Sequence, residues 1–260
     1  EMYHDDAAFF KSNFQSVINA RRVKDEFGDT INWSLALAGA VVPILVKTGI
    51  STLFIASTYT RDYPFPWGSH PLIDNAIQVA GIRVIHDDPD HNRIEKVETI
   101  VNHYKKNNVP LPFISVCHQT ANEQNCSWCD KCLRTMNDIV AVGQDPRSFG
   151  FSLSPKEVTK KTRTHLENRL KKKTQRVVVN TFWIDIQDFI KKGTYQSFYN
   201  TLDKEFFSWI KDVHLESKNT FLLHKRDIYP KFKNLLTLLW DQSVNGTLDY
   251  DSLHHMKLKL

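Results

Sequence analysis

Apolar and polar positions along the first part of the chain predict helices and strands in turn. A continuous apolar run at Thr52–Ala56 is typical of a buried parallel strand, and Ile82–Ile85 has the same character. The predicted helices are 6–27, Trp33–Lys47, Leu72–Ala80 and Arg93–Lys106. Helices that alternate with strands in this way indicate an α/β domain with parallel strands.

The pattern changes after Gly150, where helices alone are predicted. Ser154 is a candidate helix cap with Pro155 at the first helical position. The predicted helices here are Arg163–Arg176, Thr181–Lys192, Ser197–Lys211 and Pro230–Trp240. We therefore predict two domains, an α/β domain over 1–150 and a mostly helical region over 151–260.

Charge is distributed unevenly between these two parts. Lys plus Arg number 34 and Asp plus Glu 29 over all 260 residues, a net charge of +5. Residues 151–260 hold 20 of the basic and 12 of the acidic residues, so they carry +8 and residues 1–150 carry −3. A basic region of this kind indicates either an anionic partner, such as nucleic acid, or a solvated helical surface.

Glycine spacing and hydropathy exclude several classes of protein. No two of the nine glycines are closer than seven positions, so the chain holds neither a Walker A loop nor a GxGxxG turn. The longest apolar run, Leu35–Val46, is too short to span a bilayer. The first six residues are acidic, unlike a secretion signal. We therefore expect a cytoplasmic protein with no membrane partner.

All four cysteines fall within one short segment, in the pattern C-x8-C-x2-C-x2-C. They are Cys117, Cys126, Cys129 and Cys132. Four thiolates at this spacing can complete a tetrahedral structural zinc site in a loop over 117–132. Disulfides are disfavoured without a secretion signal, whereas a redox CxxC pair and an iron–sulfur cluster remain alternatives.

Polar residues follow each of the two predicted strands. Ligands of parallel α/β sheets bind beyond the carboxyl ends of the strands, which places Ser57–Pro71 and His86–His91 at a candidate site. The second segment contains residues that could bind Mg²⁺ through hard oxygen ligands: His86, Asp87, Asp88, Asp90 and His91. An ordinary polar turn after a strand is the alternative.

Three segments, taken in order, resemble the 7-cyano-7-deazaguanine synthase (QueC) family of PP-loop ATP pyrophosphatases. Ile55–Pro64 is similar to the family's first matching strand and loop, and Arg93–Thr99 to its Lys-Ala-Glu helix start. Cys117 to Cys132, followed by Leu133-Arg134, has the spacing of its zinc site. The resemblance covers about residues 30–143, and only the cysteine spacing is specific by itself.

The resemblance implies a Rossmann-like parallel sheet of the adenine nucleotide α-hydrolase type and adenylation of a small-molecule or base carboxylate. It makes Lys96 and Arg93 catalytic candidates that would neutralise departing pyrophosphate; solvated, ion-paired helix residues are the alternative. The candidate substrate- or nucleotide-binding residues are Ser57, Thr58, Asp62, Tyr63, Trp67, Ser69 and His70. A Ser69–His70 nucleophile pair for hydrolysis is disfavoured, because no orienting acid is specified.

Two departures from the family pattern affect these expectations. The Ser-Gly-Gly-x-Asp-Ser loop that holds pyrophosphate is absent, so ATP and Mg²⁺ are expected only if a preceding segment or a partner chain supplies it. The family's Asp-Cys-Arg after Tyr-Pro is replaced here by Phe65-Pro66-Trp67, which argues against a deazaguanine substrate. Pro66–Pro71, taken together with Cys126–Met136, is more similar to uncharacterised bacterial QueC-like proteins.

A non-catalytic function is the alternative to this enzyme. The zinc cluster and the lysine-rich segment Arg163–Arg176 would then form a nucleic-acid-binding module, whose affinity depends on Lys171, Lys172 and Lys173. An enzyme that acts on a base within a polynucleotide would combine both functions, and residues 151–260 would then bind the polynucleotide.

Overall fold

The computed structural model describes residues 33–61, 69–117, 119–120, 124–171, 176–179, 181–217, 241 and 244–246. Its contacts divide the chain into two compact units, Glu1–His91 with Tyr229–Leu260, and Asn92–Ile228. Gly150, where the charge balance changes, lies within the second unit. The helices predicted over 6–27 and 230–240 lie outside the described residues.

The described part of the first unit contains a small three-stranded sheet and two helices. Its elements are α1 (Trp33–Thr48), β1 (Thr52–Ala56), α2 (Pro71–Asp74), β2 (Gln78–Val79) and β3 (Ile82–Asp87). β1 pairs with β3 in parallel, from Thr52 opposite Arg83 to Ala56 opposite Asp87, as the apolar runs predict. Alternate residues of β3 are buried, so one face of this strand packs inward.

A hairpin replaces the second half of the helix predicted over Leu72–Ala80. Helix α2 ends at Asp74, and β2 then pairs antiparallel with β3. The chain reverses at Ala80 and Gly81, which both have positive φ, 51° and 80°. Positive φ at two successive residues suits a tight hairpin turn and cannot continue a helix. The prediction was therefore wrong after the first turn of the helix.

Among its described residues, the second unit packs five α-helices with another three-stranded sheet. Its elements are α3 (Arg93–Lys106), α4 (Asp130–Ala141), a 3-10 turn (Pro146–Phe149), α5 (Pro155–Glu167), β4 (Leu170–Lys171), β5 (Arg176–Val179), α6 (Thr181–Lys192), α7 (Gln196–Asp212) and β6 (Leu215–Ser217). β5 pairs antiparallel with β4 and parallel with β6. Helix α4 lies against α3, α5 and α6 and is buried along most of its length. The core includes Ile94, Val101, Met136, Leu166, Trp183 and Tyr199.

Side-chain caps fix where the helices of this unit begin. Asn92 and Glu95 form a capping box at the start of α3, which has the predicted bounds. Ser154 caps α5 with Glu157, as the sequence predicts. The helix predicted over Arg163–Arg176 is wrong, however, because α5 ends at Glu167 and β4 follows.

The described residues thus form a mixed α/β structure with two three-stranded sheets. Each of these sheets contains one parallel and one antiparallel strand pair. A larger Rossmann-like parallel sheet stays a prediction. No helix within the described ranges has the length and apolar character needed to cross a bilayer.

Candidate functional site

The four cysteines converge on one point beside the start of α4. The sulfurs of Cys117, Cys126, Cys129 and Cys132 all lie within 4.8 Å of one another, and all four are free thiols. The sulfurs of Cys126 and Cys132 are 3.7 Å apart. A tetrahedral site with metal–sulfur bonds of about 2.3 Å has edges of roughly 3.8 Å, so this separation suits a shared ion. The cluster could hold a metal ion such as zinc.

Backbone amides point at three of these sulfurs. The amide of Cys129 donates to the sulfur of Cys126 at 3.3 Å, and the amide of Cys132 donates to Cys129 at 3.4 Å. Burial acts to raise the pKa of Cys117, but backbone hydrogen bonds of Cys126 and Gln119 outweigh it and lower this pKa to about 5. Burial and the neighbouring thiols raise the pKa of Cys132. A bound cation would favour the thiolate at every position.

Hydrogen bonds from neighbouring loops hold the cysteine segment in place. The side chain of Asn125 accepts from the amide of Val116 at 3.1 Å and donates to the carbonyl of Ile114 at 2.7 Å. Ser127 has a φ of 59° and is buried, and its hydroxyl accepts from the amide of Ser152 at 2.9 Å. These hydrogen bonds tie the residues on either side of Cys126 to the neighbouring chain.

Asp130 joins the cysteine segment to two helices. Its carboxylate lies 3.0 Å from Nε of Arg134 on α4 and 3.0 Å from Nε2 of His165 on α5, and 3.8 Å from Nη2 of Arg169. Burial acts to raise the pKa of Asp130, but His165 and Arg134 outweigh it and lower this pKa. The ionised carboxylate therefore fixes α4 against α5 directly beside the thiols.

A second polar cluster lies between α3, α4 and α6, and sequence reasoning missed it. The guanidinium carbons of Arg93 and Arg134 lie 5.4 and 4.7 Å from the ring centre of Phe182. Burial raises the pKa of Asp138 to about 7 against the opposing effect of both arginines, and burial also raises that of Asp185 to about 7. The available signal was an acidic residue followed directly by the apolar run Ile139–Val142.

A pocket of about 410 Å³ within the first unit lies along β1 and helix α1. Thr58 and Ser69, two of the predicted binding residues, both line it. Its other walls are apolar: Leu37, Val41, Leu53, Phe54, Ile55 and Ala56. Ser57 is buried, and its hydroxyl donates to the carbonyl of Asp88 at 2.5 Å, so it ties the two strand ends together.

Ser69 and His70 have separate structural partners. The hydroxyl of Ser69 donates to Oδ2 of Asp74 at 2.9 Å, and Nδ1 of His86 lies 2.7 Å from the same oxygen. Nδ1 of His70 accepts from the amide of Leu72 and caps α2. Burial and the neighbouring His86 lower the pKa of His70 to about 4. Ser69 therefore donates to a carboxylate, whereas a serine hydrolase needs this hydroxyl to donate to an imidazole.

The remaining predicted residues fall into three groups. Asp62, Tyr63 and Trp67 lie outside the described residues. Arg93 and Lys96 are half-buried on α3, in the second unit. Among the described residues, only the four cysteines form a group of three or more potential metal ligands, so the residues predicted to bind Mg²⁺ after β3 do not converge.

Comparison with protein-family models gives no match for this chain. Neither the curated proteins nor the solved structures give a match. What the site can do therefore follows from its own residues. Four converging thiols can hold a metal ion. One polar cluster contains the two arginines beside Phe182, and another contains the Ser69–Asp74 pair of the first unit.

Proposed function

We propose that the four cysteines bind a structural zinc ion that fixes the loop before α4. The convergence of all four sulfurs within 4.8 Å carries this proposal. A site with four thiolate ligands is closed, so the ion would have no open position at which to activate water. Its effect would be to hold the first turn of α4 against the loop that contains Cys117.

Metal analysis of the protein purified without chelators tests this site. We expect about one zinc per chain, and loss of that zinc in Cys129→Ser and Cys132→Ser variants. Ser152→Ala is the matched control, because Ser152 is exposed and contributes only its backbone amide to this region. Iron with inorganic sulfide would show an iron–sulfur cluster instead, and protein without any metal would overturn the proposal.

We further propose that the chain belongs to a QueC-like, cytoplasmic enzyme that activates a carboxylate with ATP. A carboxylate oxygen of a small molecule or base would attack the α-phosphorus of ATP, pyrophosphate would leave, and an amine or ammonia could then displace AMP from the acyl-adenylate. The support is the order of the three matching segments together with the parallel pairing of β1 and β3. The pocket along β1 includes Thr58, just beyond the carboxyl end of this strand, which is the end at which ligands of such sheets bind.

Arg93 and Lys96 are the residues we assign to the pyrophosphate. Both are cations on the first turns of α3, and positive charge held there would stabilise negative charge that develops on the leaving group. The phosphate-binding loop and Mg²⁺ would come from a segment or partner outside this chain. Thr58 and Ser69 would contact the substrate.

The full-length protein, incubated with ATP, Mg²⁺ and candidate acids, should release AMP and pyrophosphate. We expect Lys96→Ala to lower kcat by about 100-fold or more, in the range seen when one charge-stabilising group is removed. Lys105→Ala is the matched control, because Lys105 is an exposed lysine at the other end of the same helix. Release of ADP and phosphate, or equal effects of the two substitutions, would contradict the proposal.

A further inference from the structure

One tryptophan is held on the surface by the cysteine segment. Trp128 lies between Cys126 and Cys129, and 64% of its surface is exposed, although tryptophan is usually well buried. The two cysteines turn inward to the thiol cluster, and the buried Ser127 has a positive φ and a hydrogen bond to Ser152. This backbone leaves the indole directed away from the core on a rigid loop.

Helix α5 provides the other wall of a groove beside this indole. The groove has a volume of about 500 Å³, and Trp128 lines it together with Lys160, Lys161, Thr164 and Asn168. These four residues are exposed, and they recur at helical spacing along one side of α5 and just beyond its end. The opposite side of α5 is buried in the core through Val158, Thr162 and Leu166.

The two lysines of this groove are exposed and are not held in close ion pairs by the described residues. Neither Lys160 nor Lys161 forms an ion pair with any residue that the structure describes. The one acidic residue of the groove, Glu157, accepts hydrogen bonds from the amide and the hydroxyl of Ser154 at 2.8 and 2.6 Å; these bonds, with Arg147 and Lys161 nearby, lower its pKa. His165 is held by Asp130. The acidic and imidazole groups thus have partners within the fold.

We infer that this groove, named here the Trp128 groove, binds single-stranded nucleic acid. A base would stack on the indole of Trp128, and Lys160 and Lys161 would contact the phosphates on either side. Thr164 and Asn168 can form hydrogen bonds to base edges or sugar hydroxyls. A duplex does not present the face of a base to an indole, so a single strand is the favoured form. This binding site is independent of the proposed adenylation and uses none of its residues.

Fluorescence anisotropy with the zinc-loaded full chain tests the inference. The probes are labelled oligothymidylate and oligouridylate of about fifteen nucleotides, since single-strand sites span about 4–16. Trp128→Ala should weaken binding by roughly tenfold or more, the effect typical of losing one stacked base. The double variant Lys160→Ala/Lys161→Ala should lower the slope of log K against log salt by about 1.4, as two lost phosphate contacts require.

Two controls distinguish loss of this binding site from misfolding of a variant and from non-specific electrostatic attraction. Lys156→Ala removes an exposed lysine of α5 that does not line the groove, and it should leave both the affinity and the effect of Trp128→Ala unchanged. The zinc content and circular dichroism of each variant should match those of the parent protein. Unchanged affinity in Trp128→Ala, equal binding of duplex, or equal binding of an acidic polypeptide would each overturn the inference. Adenylation activity is measured separately, so either proposal can fail alone.

Discussion

At the scale of single residues, Asp138 is an acidic side chain buried within the mostly apolar core face of α4. It is 3% exposed, and burial raises its pKa to about 7 although Arg93 and Arg134 act in the opposite direction. The folded protein therefore holds a proton on Asp138 that the unfolded chain releases at about pH 4. The free energy of unfolding falls as the pH rises between these two values, and this contribution levels off above about pH 7.

Asp138→Asn keeps a neutral side chain at every pH and removes this dependence. The stability of the variant relative to the parent should rise between about pH 4 and pH 7, by at most about 4 kcal/mol at 1.4 kcal/mol per pKa unit. Urea unfolding at a series of pH values measures the difference. Comparing the two proteins cancels the effect of titrating groups that do not interact with Asp138; Asp185 does interact with it, so the Asp185→Asn variant is measured alongside. A difference that does not change with pH would show that Asp138 is ionised in the fold.

Sequence reasoning reached some residues and missed others for identifiable reasons. The cysteines were found because four ligands of one type in a short segment form a local pattern, and their sulfurs do converge. The contacts of Asp74 with Ser69 and His86 depend on pairing between distant segments, and no spacing in the sequence indicates them. Asp138 was missed because helical periodicity does not distinguish a buried carboxyl from an exposed one.

At the scale of elements, local signals located helix starts better than helix ends. The start of α5 was predicted from Ser154 and Pro155, whose geometry is fixed by neighbouring backbone amides. The end of α5 was not predicted. The basic residues after Glu167 favour a helix, whereas the pairing of β4 with β5 makes this segment a strand. Strand pairing depends on partners far along the chain, and intrinsic propensity does not include them.

The capping box of α5 offers a test at this scale. Ser154→Ala removes the oxygen that accepts from the amide of Glu157 and that donates to its carboxylate, so we expect a loss of about 1 kcal/mol in unfolding free energy. Ser152→Ala, an exposed serine two positions earlier, should change stability by less than about 0.5 kcal/mol. Chemical denaturation of both variants gives the comparison. Equal losses would show that the cap contributes nothing specific to α5.

At the scale of the whole molecule, the predicted site residues divide between the two compact units. Ser57, Thr58, Ser69 and His70 belong to the first unit, whereas Arg93, Lys96 and the four cysteines belong to the second. The parallel pair of the first unit was predicted, because continuous apolar runs are typical of parallel strands. The unit boundary at His91 was not predicted. The charge change at Gly150 reflects surface composition and does not indicate which helices share a core.

Metal removal is the test that addresses the molecule as a whole. The thiol cluster joins the loop at Cys117 to the start of α4, and α4 packs against three other helices of the second unit. If zinc holds this junction, its binding free energy, about 10 kcal/mol or more in small zinc domains, contributes directly to the folding of that unit. Chelation should therefore increase amide exchange throughout α4 and in its contacts on α3 and α5, as measured by hydrogen–deuterium exchange with mass spectrometry.

The first unit provides the internal reference for this experiment, because β1 and β3 have their own backbone pairing and contain none of the four ligands. Exchange in these strands should change much less than in α4 after chelation, and added zinc should restore the protection of α4. Cys132→Ser should reproduce the effect of the chelator without added reagent, since Cys132 is the fully buried thiol of the cluster, within the first turn of α4. Unchanged exchange in α4 would mean that the surrounding hydrogen bonds of Asn125 and Ser127 fix the loop without a metal.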